Sequence, residues 1–134
     1  MERDKHQTGI VRRVEKPWGH ELIWAQTEKY VGKILHVKKG ERLSLQYHRK
    51  KEETILIAKG EIDFYYEDEP GNLVKKNLKE GQSHHILPGR QHRMVAVLDT
   101  DIFEVSTPEL DDVVRLEDAY GRAPEAKGQT GTRS

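Results

Sequence analysis

The chain has 134 residues, of which 34% are hydrophobic, and this length predicts one domain with a small core. Its 23 basic and 23 acidic side chains cancel, so we expect no broad basic surface and no nucleic-acid partner. The chain has no cysteine, which excludes disulfides and thiolate ligands. It also lacks an apolar leader and any run of ~18 apolar residues, so we predict a cytoplasmic protein without a membrane partner.

Short alternating segments, separated by turns rich in Gly, Pro and Asp, follow one another along most of the chain. Strands are predicted at 10–14, 21–25, 30–38, 43–48, 54–58, 62–67, 73–78, 83–87, 92–98 and 102–106, with a last strand or helical turn at 113–116. Residues 1–8 and 123–134 are polar and are predicted to be disordered tails, which leaves one domain over residues 9–122. No strand is followed by an amphipathic helix, so the pattern indicates an all-β barrel or two-sheet sandwich.

Two of these strands have patterns with further consequences. Residues 30–38 alternate so that Lys33 lies on the same face as the apolar Val31, Leu35 and Val37, which predicts an inward-facing lysine. Residues 54–58 are apolar on both faces, so one face should pack inward and the other against a second sheet or subunit. This second face, together with sheet edges that need protection, predicts a homodimer.

Four side chains form a candidate metal site. Gln46 and His48 are two residues apart and share one face of a strand, Glu53 follows shortly after, and His92 comes just past a Pro-Gly turn. They offer one amide oxygen, two imidazoles and one carboxylate, which is a reasonable set of ligands for one divalent metal. This set of nitrogen and oxygen donors suits zinc, our first choice, and also manganese, iron or nickel.

The spacing of these residues resembles the two sequence motifs of the cupin superfamily. The segments GERLSLQYHRKKEETILIAKG (40–60) and GQSHHILPGRQH (81–92) fit both motifs, except that Gln46 replaces the first His and Leu87 replaces a Pro. The resemblance implies a cupin-type double-stranded β-helix, a jelly-roll barrel, around the metal. Motif spacing allows Glu52 or Glu53 as the acidic ligand, and the six-residue gap to the motif glycine favours Glu53.

A narrower resemblance rests on three further segments. KPWG (16–19), LSLQYH (43–48) and VVRLEDAYGR (113–122) are similar to the isomerase domain of type II mannose-6-phosphate isomerases. In that family the domain commonly follows a mannose-1-phosphate guanylyltransferase domain. No Gly-rich phosphate loop occurs in this sequence, so we expect a stand-alone version. The family's usual His-rich run and His-Trp pair are replaced here by Arg49, Lys50, Thr54 and Ile55, which leaves the sugar open.

This resemblance implies a metal-dependent aldose–ketose isomerase acting on a sugar phosphate through a cis-enediolate. It implies that Gln46, His48, Glu53 and His92 hold the metal. Arg115 matches a candidate active-site arginine, and Lys33, on its inward face, could help to hold the phosphate. The sequence does not identify the base. Two alternatives from other classes are a non-catalytic metal- or sugar-binding module and a metal-dependent dioxygenase, and the identity of the bound metal would help to separate them.

Overall fold

The structure of the chain, a computed structural model, describes residues 9–121 and contains eleven β-strands in that range. The strands are β1 Arg12–Lys16, β2 Gly19–Gln26, β3 Val31–Val37, β4 Leu45–Tyr47, β5 Glu53–Lys59, β6 Glu61–Glu69, β7 Asn72–Lys79, β8 Ser83–Ile86, β9 His92–Ala96, β10 Thr100–Ser106 and β11 Val114–Glu117. No described residue belongs to a helix that could cross a membrane. The predicted tails, 1–8 and 123–134, lie outside the described residues, so the domain limits stay a prediction.

The strands form two antiparallel sheets whose inward faces share one core. One sheet has the order β1-β2-β3-β10-β5-β8 and the other β11-β4-β9-β6-β7, so β9 and β10, adjacent in sequence, lie in different sheets. The core draws Leu35, Ile55 and Ile102 from the first sheet, and Phe64 and Met94 from the second. This arrangement confirms the prediction of an all-β, two-sheet protein, and the segment predicted at 113–116 is a strand, Val114–Glu117, rather than a helical turn.

Alternation along β3 and β5 places side chains as the sequence predicted. In β3, Lys33 is buried together with its apolar neighbours on the same face. In β5, Ile55 and Ile57 are fully buried, whereas Leu56 between them is 37% exposed. The inward face of β5 therefore packs in the core, and within the described residues its outward face is left open.

The turn between β5 and β6 requires glycine. Gly60 has φ +101°, and a Cβ atom placed there would lie 2.5 Å from the backbone oxygen of Asp99 and 2.5 Å from Oγ1 of Thr100. Any other residue would combine an unfavourable left-handed backbone with a clash. The motif glycine at this position thus lets the turn between β5 and β6 lie close to the backbone of Asp99 and Thr100.

Candidate metal centre

The barrel interior brings three of the four predicted ligands together. Oε2 of Glu53 lies 2.7 Å from Nε2 of His48 and 3.4 Å from Nε2 of His92. All three side chains are at most 3% exposed, and their candidate ligand atoms lie within 4.8 Å of one another. Residues 44 positions apart in sequence therefore converge as the motif spacing predicted.

Backbone carbonyls fix the orientation of both imidazoles. Nδ1 of His48 lies 2.6 Å from the carbonyl oxygen of Asp112, and Nδ1 of His92 lies 3.1 Å from that of Arg90. A carbonyl oxygen only accepts hydrogen bonds, so each Nδ1 must carry the proton. In the neutral imidazole this leaves Nε2 with a lone pair, directed at Glu53, which is the form in which histidine binds a metal.

Three acceptor atoms thus meet without a hydrogen between them. Nε2 of His48, Oε2 of Glu53 and Nε2 of His92 are buried and have no hydrogen-bond partner within residues 9–121. Unpaired buried polar atoms are costly, and a cation among them would remove that cost. The two nitrogens and one carboxylate oxygen fit a divalent ion such as zinc.

The carboxyl group of Glu53 is suited to bind such an ion. Burial raises its pKa, whereas the ammonium of Lys51, 3.7 Å from Oε1, lowers it. The ionised carboxylate that Lys51 favours is the form in which glutamate binds a metal.

A backbone hydrogen bond from a tight turn in the second motif connects it to the first. The backbone N–H of Gly89, which has φ +82°, donates to the carbonyl oxygen of His48 at 2.7 Å. Glycine adopts this left-handed conformation without strain. Since His92 follows three residues later at the start of β9, the bond holds the second ligand strand against the first.

Gln46 and Glu52 are the two remaining ligand candidates from the sequence. Gln46 is the register partner of His92 and lines the same cavity as His48. Its Oε1 accepts a hydrogen bond from the hydroxyl of Ser44 at 2.6 Å, which leaves one lone pair. Glu52 is exposed, and its carboxylate lies 2.5 Å from Nε2 of His85. The structure thus brings Glu53, not Glu52, to the histidines, and Gln46 stays a predicted fourth ligand.

A cavity of about 310 Å³ opens beside His48 and Glu53 and has a strongly charged wall. Four basic and four acidic side chains line it, namely Lys16, Lys33, Lys51 and Arg115, and Glu21, Glu53, Glu104 and Asp111. Both residues that were predicted to contact substrate, Lys33 and Arg115, are therefore on this wall. Arg115 is the register partner of the predicted ligand Gln46.

Sequence reasoning missed several residues of this wall, among them Lys51 and Glu104. Nζ of Lys51 lies 3.4 Å from Oε2 of Glu104 and 3.7 Å from Oε1 of Glu53. Lys51 belongs to a charged run that suggested a solvated loop, yet it is buried. The signal for Glu104 was available, since it alternates with Ile102 on the inward face of β10.

These charges shift one another's proton affinities. Burial raises the pKa of Glu104 to about 7; the charge of Glu53 adds to the rise, whereas Lys51 and Lys33 oppose it. Burial alone would lower the pKa of Lys51, but Glu104 and Glu53 outweigh it and raise the pKa above its usual value. The wall beside the candidate centre therefore combines a fixed cation with a carboxyl group that can hold a proton near neutral pH.

Sequence comparison places the chain in a known family. The family described as mannose-6-phosphate isomerase C-terminal matches residues 2–118. Mannose-1-phosphate guanylyltransferase ManC of Salmonella typhimurium is 34% identical, and the match covers 88% of this chain and 25% of that protein. Alginate biosynthesis protein AlgA of Pseudomonas aeruginosa is 32% identical, with 84% and 23% covered. The chain thus spans about a quarter of the length of these curated relatives.

Similar solved structures agree in fold. KdgF from Halomonas sp. is 18% identical with a TM-score of 0.65, covering 77% of this chain and 91% of that one. An RmlC-like cupin from Shewanella frigidimarina is 16% identical with a TM-score of 0.67, covering 75% and 86%. At these identities the likeness shows the fold alone, the cupin double-stranded β-helix. Together, the comparisons confirm both sequence resemblances: the chain belongs to the mannose-6-phosphate isomerase C-terminal family and has the cupin fold.

Proposed function

We propose that the chain is a metal-dependent isomerase that interconverts the aldose and ketose forms of a sugar phosphate. The observation that carries this proposal is the convergence of three unpartnered lone-pair atoms at the edge of a cavity lined by four basic and four acidic side chains. A metal bound to these atoms, together with the basic side chains of the wall, would attract an anionic substrate. The family description, and relatives whose names refer to mannose-1-phosphate, support a sugar phosphate as the substrate class.

His48, Glu53 and His92 would hold the metal, with the amide oxygen of Gln46 as a fourth ligand. Zinc is our first choice, and manganese, iron or nickel would also suit these donors. When bound, the ion would polarise the substrate's carbonyl oxygen and stabilise negative charge on it. The carbonyls of Asp112 and Arg90 keep the two imidazoles turned toward the centre.

Glu104 is the group that we assign to proton transfer. Its carboxyl group lies on the cavity wall, buried, with Oε2 3.4 Å from the ammonium of Lys51. An aldose–ketose isomerisation moves one proton between adjacent carbons, so it needs one group that can take the proton and return it. In this role Oε2 of Glu104 takes the proton from one carbon and delivers it to the other, while Lys51 holds the carboxylate in place.

The remaining cations would bind the phosphate and the developing oxyanion. Nζ of Lys33 is buried and lies 3.4 Å from Oε1 of Glu21, so its position is fixed before substrate arrives. Arg115 offers a planar fork of donors that can bind two oxygens of one phosphate or carboxylate. Preorganised cations of this kind stabilise anionic transition states without reorganisation.

The deciding experiment is turnover of a panel of sugar phosphates by metal-loaded protein, followed by NMR. Mannose-6-phosphate and fructose-6-phosphate come first, and we expect interconversion that stops when a chelator removes the metal. His92→Ala should abolish turnover. The matched control is His85→Ala, since His85 pairs with Glu52 outside the centre and its loss should leave turnover intact.

Other outcomes of the same panel would support the alternatives. A protein that binds metal and sugar phosphate but turns over none of the panel would be a binding module. Consumption of dioxygen by the iron-loaded protein would indicate a dioxygenase. Either result would overturn the isomerase proposal while leaving the metal centre in place.

We further propose a homodimer formed through the outward face of the six-stranded sheet. Leu22, Ile34, Phe103 and Leu56 are successive register partners across four strands and form one apolar row. Phe103 is 41% exposed and the neighbouring Val105 is 52% exposed, so the row is open to a second copy. Because the cavity lies on the opposite face of these strands, pairing would leave it accessible.

Light scattering tests the dimer. The wild-type chain should have twice the monomer mass at micromolar concentration, and Phe103→Lys should give a monomer that still binds metal. A monomeric wild type would contradict the proposal. The cytoplasmic location stays a prediction, which fractionation of the source cell can test.

A further inference from the structure

Asp112 lies between β10 and β11 and caps the turn that connects β4 to β5. Its Oδ1 accepts a hydrogen bond from the backbone N–H of Arg49 at 3.1 Å. Its Oδ2 accepts from the backbone N–H of Lys50 at 2.7 Å and of Lys51 at 2.9 Å. One carboxylate thus satisfies three consecutive backbone donors. These bonds, led by that of Lys50, lower the pKa of Asp112 to about 2, so it is an anion at neutral pH.

The main chain of the same residue contacts a candidate metal ligand directly. The carbonyl oxygen of Asp112 accepts the Nδ1 proton of His48 at 2.6 Å, across 64 positions of sequence. The turn that its carboxylate caps is the one that separates His48 from Glu53 along the chain. Asp112 therefore fixes both the orientation of His48 and the path that leads from it to Glu53.

The segment around Asp112 also forms part of the cavity wall. Leu110, Asp111 and Val113 line the cavity on either side of it, and Arg115 follows at the next inward position of the wall. A shift of this segment relative to the capped turn would change the distance between the wall and the candidate centre. Asp112 joins the two through four hydrogen bonds.

We propose that Asp112 is a positioning residue that holds His48, the turn to Glu53 and the cavity wall in one arrangement, and that it thereby sets the affinity for the metal. This inference rests on the proposed metal centre. Groups that orient metal ligands from outside typically change metal affinity 10–100-fold when they are lost. Here a single residue orients one ligand and fixes the backbone that leads to the next.

The test is the affinity of metal-stripped protein for Zn²⁺, measured by competition with a chromophoric chelator. Asp112→Ala should weaken binding about 10–100-fold. Asp112→Asn should recover part of the loss, because its amide oxygen can still accept backbone hydrogen bonds. The visible absorption of the Co²⁺-loaded protein should also change in Asp112→Ala, since the spectrum reports ligand geometry, which a purely stabilising residue would not alter.

Asp99→Ala is the matched control. Its carboxylate also caps a turn, accepting from the backbone N–H of Lys39 at 2.8 Å, but at the end of β9 away from His92. Asp99→Ala removes the same charge and one backbone hydrogen bond, where Asp112→Ala removes three, so we expect a smaller change in melting temperature and a metal affinity equal to that of the wild type.

The outcomes separate this inference from the proposed function. Unchanged Zn²⁺ affinity in Asp112→Ala, or an equal loss in Asp99→Ala, would overturn the positioning role while the metal centre stands. If Asp112→Ala does not fold, Asp112→Asn is judged by the same comparison. A wild-type chain that takes up no Zn²⁺, Mn²⁺, Fe²⁺ or Ni²⁺ would overturn the centre and this role together.

Discussion

The inside of the barrel has two halves that differ sharply although the same strands build both. Along its inward face, β5 changes from Glu53 to Ile57, and β9 changes from His92 to Ala96. All four side chains are buried, so strand alternation, which distinguishes inward from outward positions, gives no difference between them. The difference lies in what surrounds them, since Glu53 and His92 meet at the candidate metal centre whereas Ile57 and Ala96 pack in the core. The same strands therefore carry apolar residues that stabilise the fold at one end and charged residues suited to metal binding at the other.

Physical chemistry predicts opposite responses from the two halves. Each fully buried aliphatic side chain of the apolar half contributes about 1.5–3 kcal/mol to stability. Charges in the polar half cost desolvation energy, which pairs such as Lys51–Glu104 and Lys33–Glu21 offset in part. Changes in the apolar half should therefore lower stability, and changes in the polar half should alter binding.

The largest effect is expected from His48→Ala. It removes a ligand and should lower Zn²⁺ affinity by more than the roughly 10–100-fold that loss of an orienting group causes. The melting temperature of the metal-free protein should stay the same or rise, because the variant relieves the contact between two lone-pair atoms. Elemental analysis and thermal melting measure both. Full occupancy in the variant would contradict the polar half as the metal site.

Ile57→Ala tests the apolar half. The side chain is fully buried in the core, so truncation should lower the free energy of unfolding by about 2–5 kcal/mol. Zn²⁺ bound per folded molecule should not change. Urea unfolding of the metal-free protein provides the measurement, and Ile57→Val should cost only about 0.5–1.5 kcal/mol. A loss of metal affinity without a loss of stability would show that the halves are not separate.

Arg115→Ala should slow turnover with little effect on stability. Loss of a preorganised cation in a cavity should cost about 3 kcal/mol in the transition state, or about a hundredfold in kcat/KM. Arg115→Lys should restore only part of the rate if the contact is bidentate. The measurement is kcat/KM beside the melting temperature. Unchanged turnover in Arg115→Ala would contradict a role for Arg115 in catalysis.

The smallest effect concerns the outside of the barrel. Burial lowers the pKa of His20, Arg13 and His36 lower it further, and Glu15 and Asp101 oppose them. A histidine whose pKa is lower in the folded state than in the unfolded state contributes stability at a pH above its unfolded-state pKa. That contribution is lost as the pH falls through its folded-state pKa. When the pH is lowered from 7 to 5, the melting temperature of the wild type should therefore fall further than that of His20→Gln. Equal pH profiles would contradict this, and Zn²⁺ affinity at pH 7 should be the same in both.

The polar half was predictable only in part. Strand alternation, a local property of the sequence, places Gln46 and His48 on one face, whereas the resemblance to the cupin motifs predicted that Glu53 and His92 join them. The inward Lys33 followed from the same alternation. The ends of the strands were predicted less well: the strand expected at 43–48 covers only Leu45–Tyr47. Short strands end where their pairing ends, and pairing is a property of the neighbouring strand.

By itself, the sequence determined which strand residues face inward and where the chain turns, because alternation and turn chemistry act over a few residues. That His92 meets His48 and Glu53 was predicted from the resemblance to the cupin motifs. Only the tertiary structure decided that β10 lies between β3 and β5, and this insertion brings Glu104 beside Lys51. It also decided that Asp112 reaches His48 across 64 positions. Contacts of this kind depend on which strands pair, and pairing is settled by burial of the whole core rather than by any local pattern.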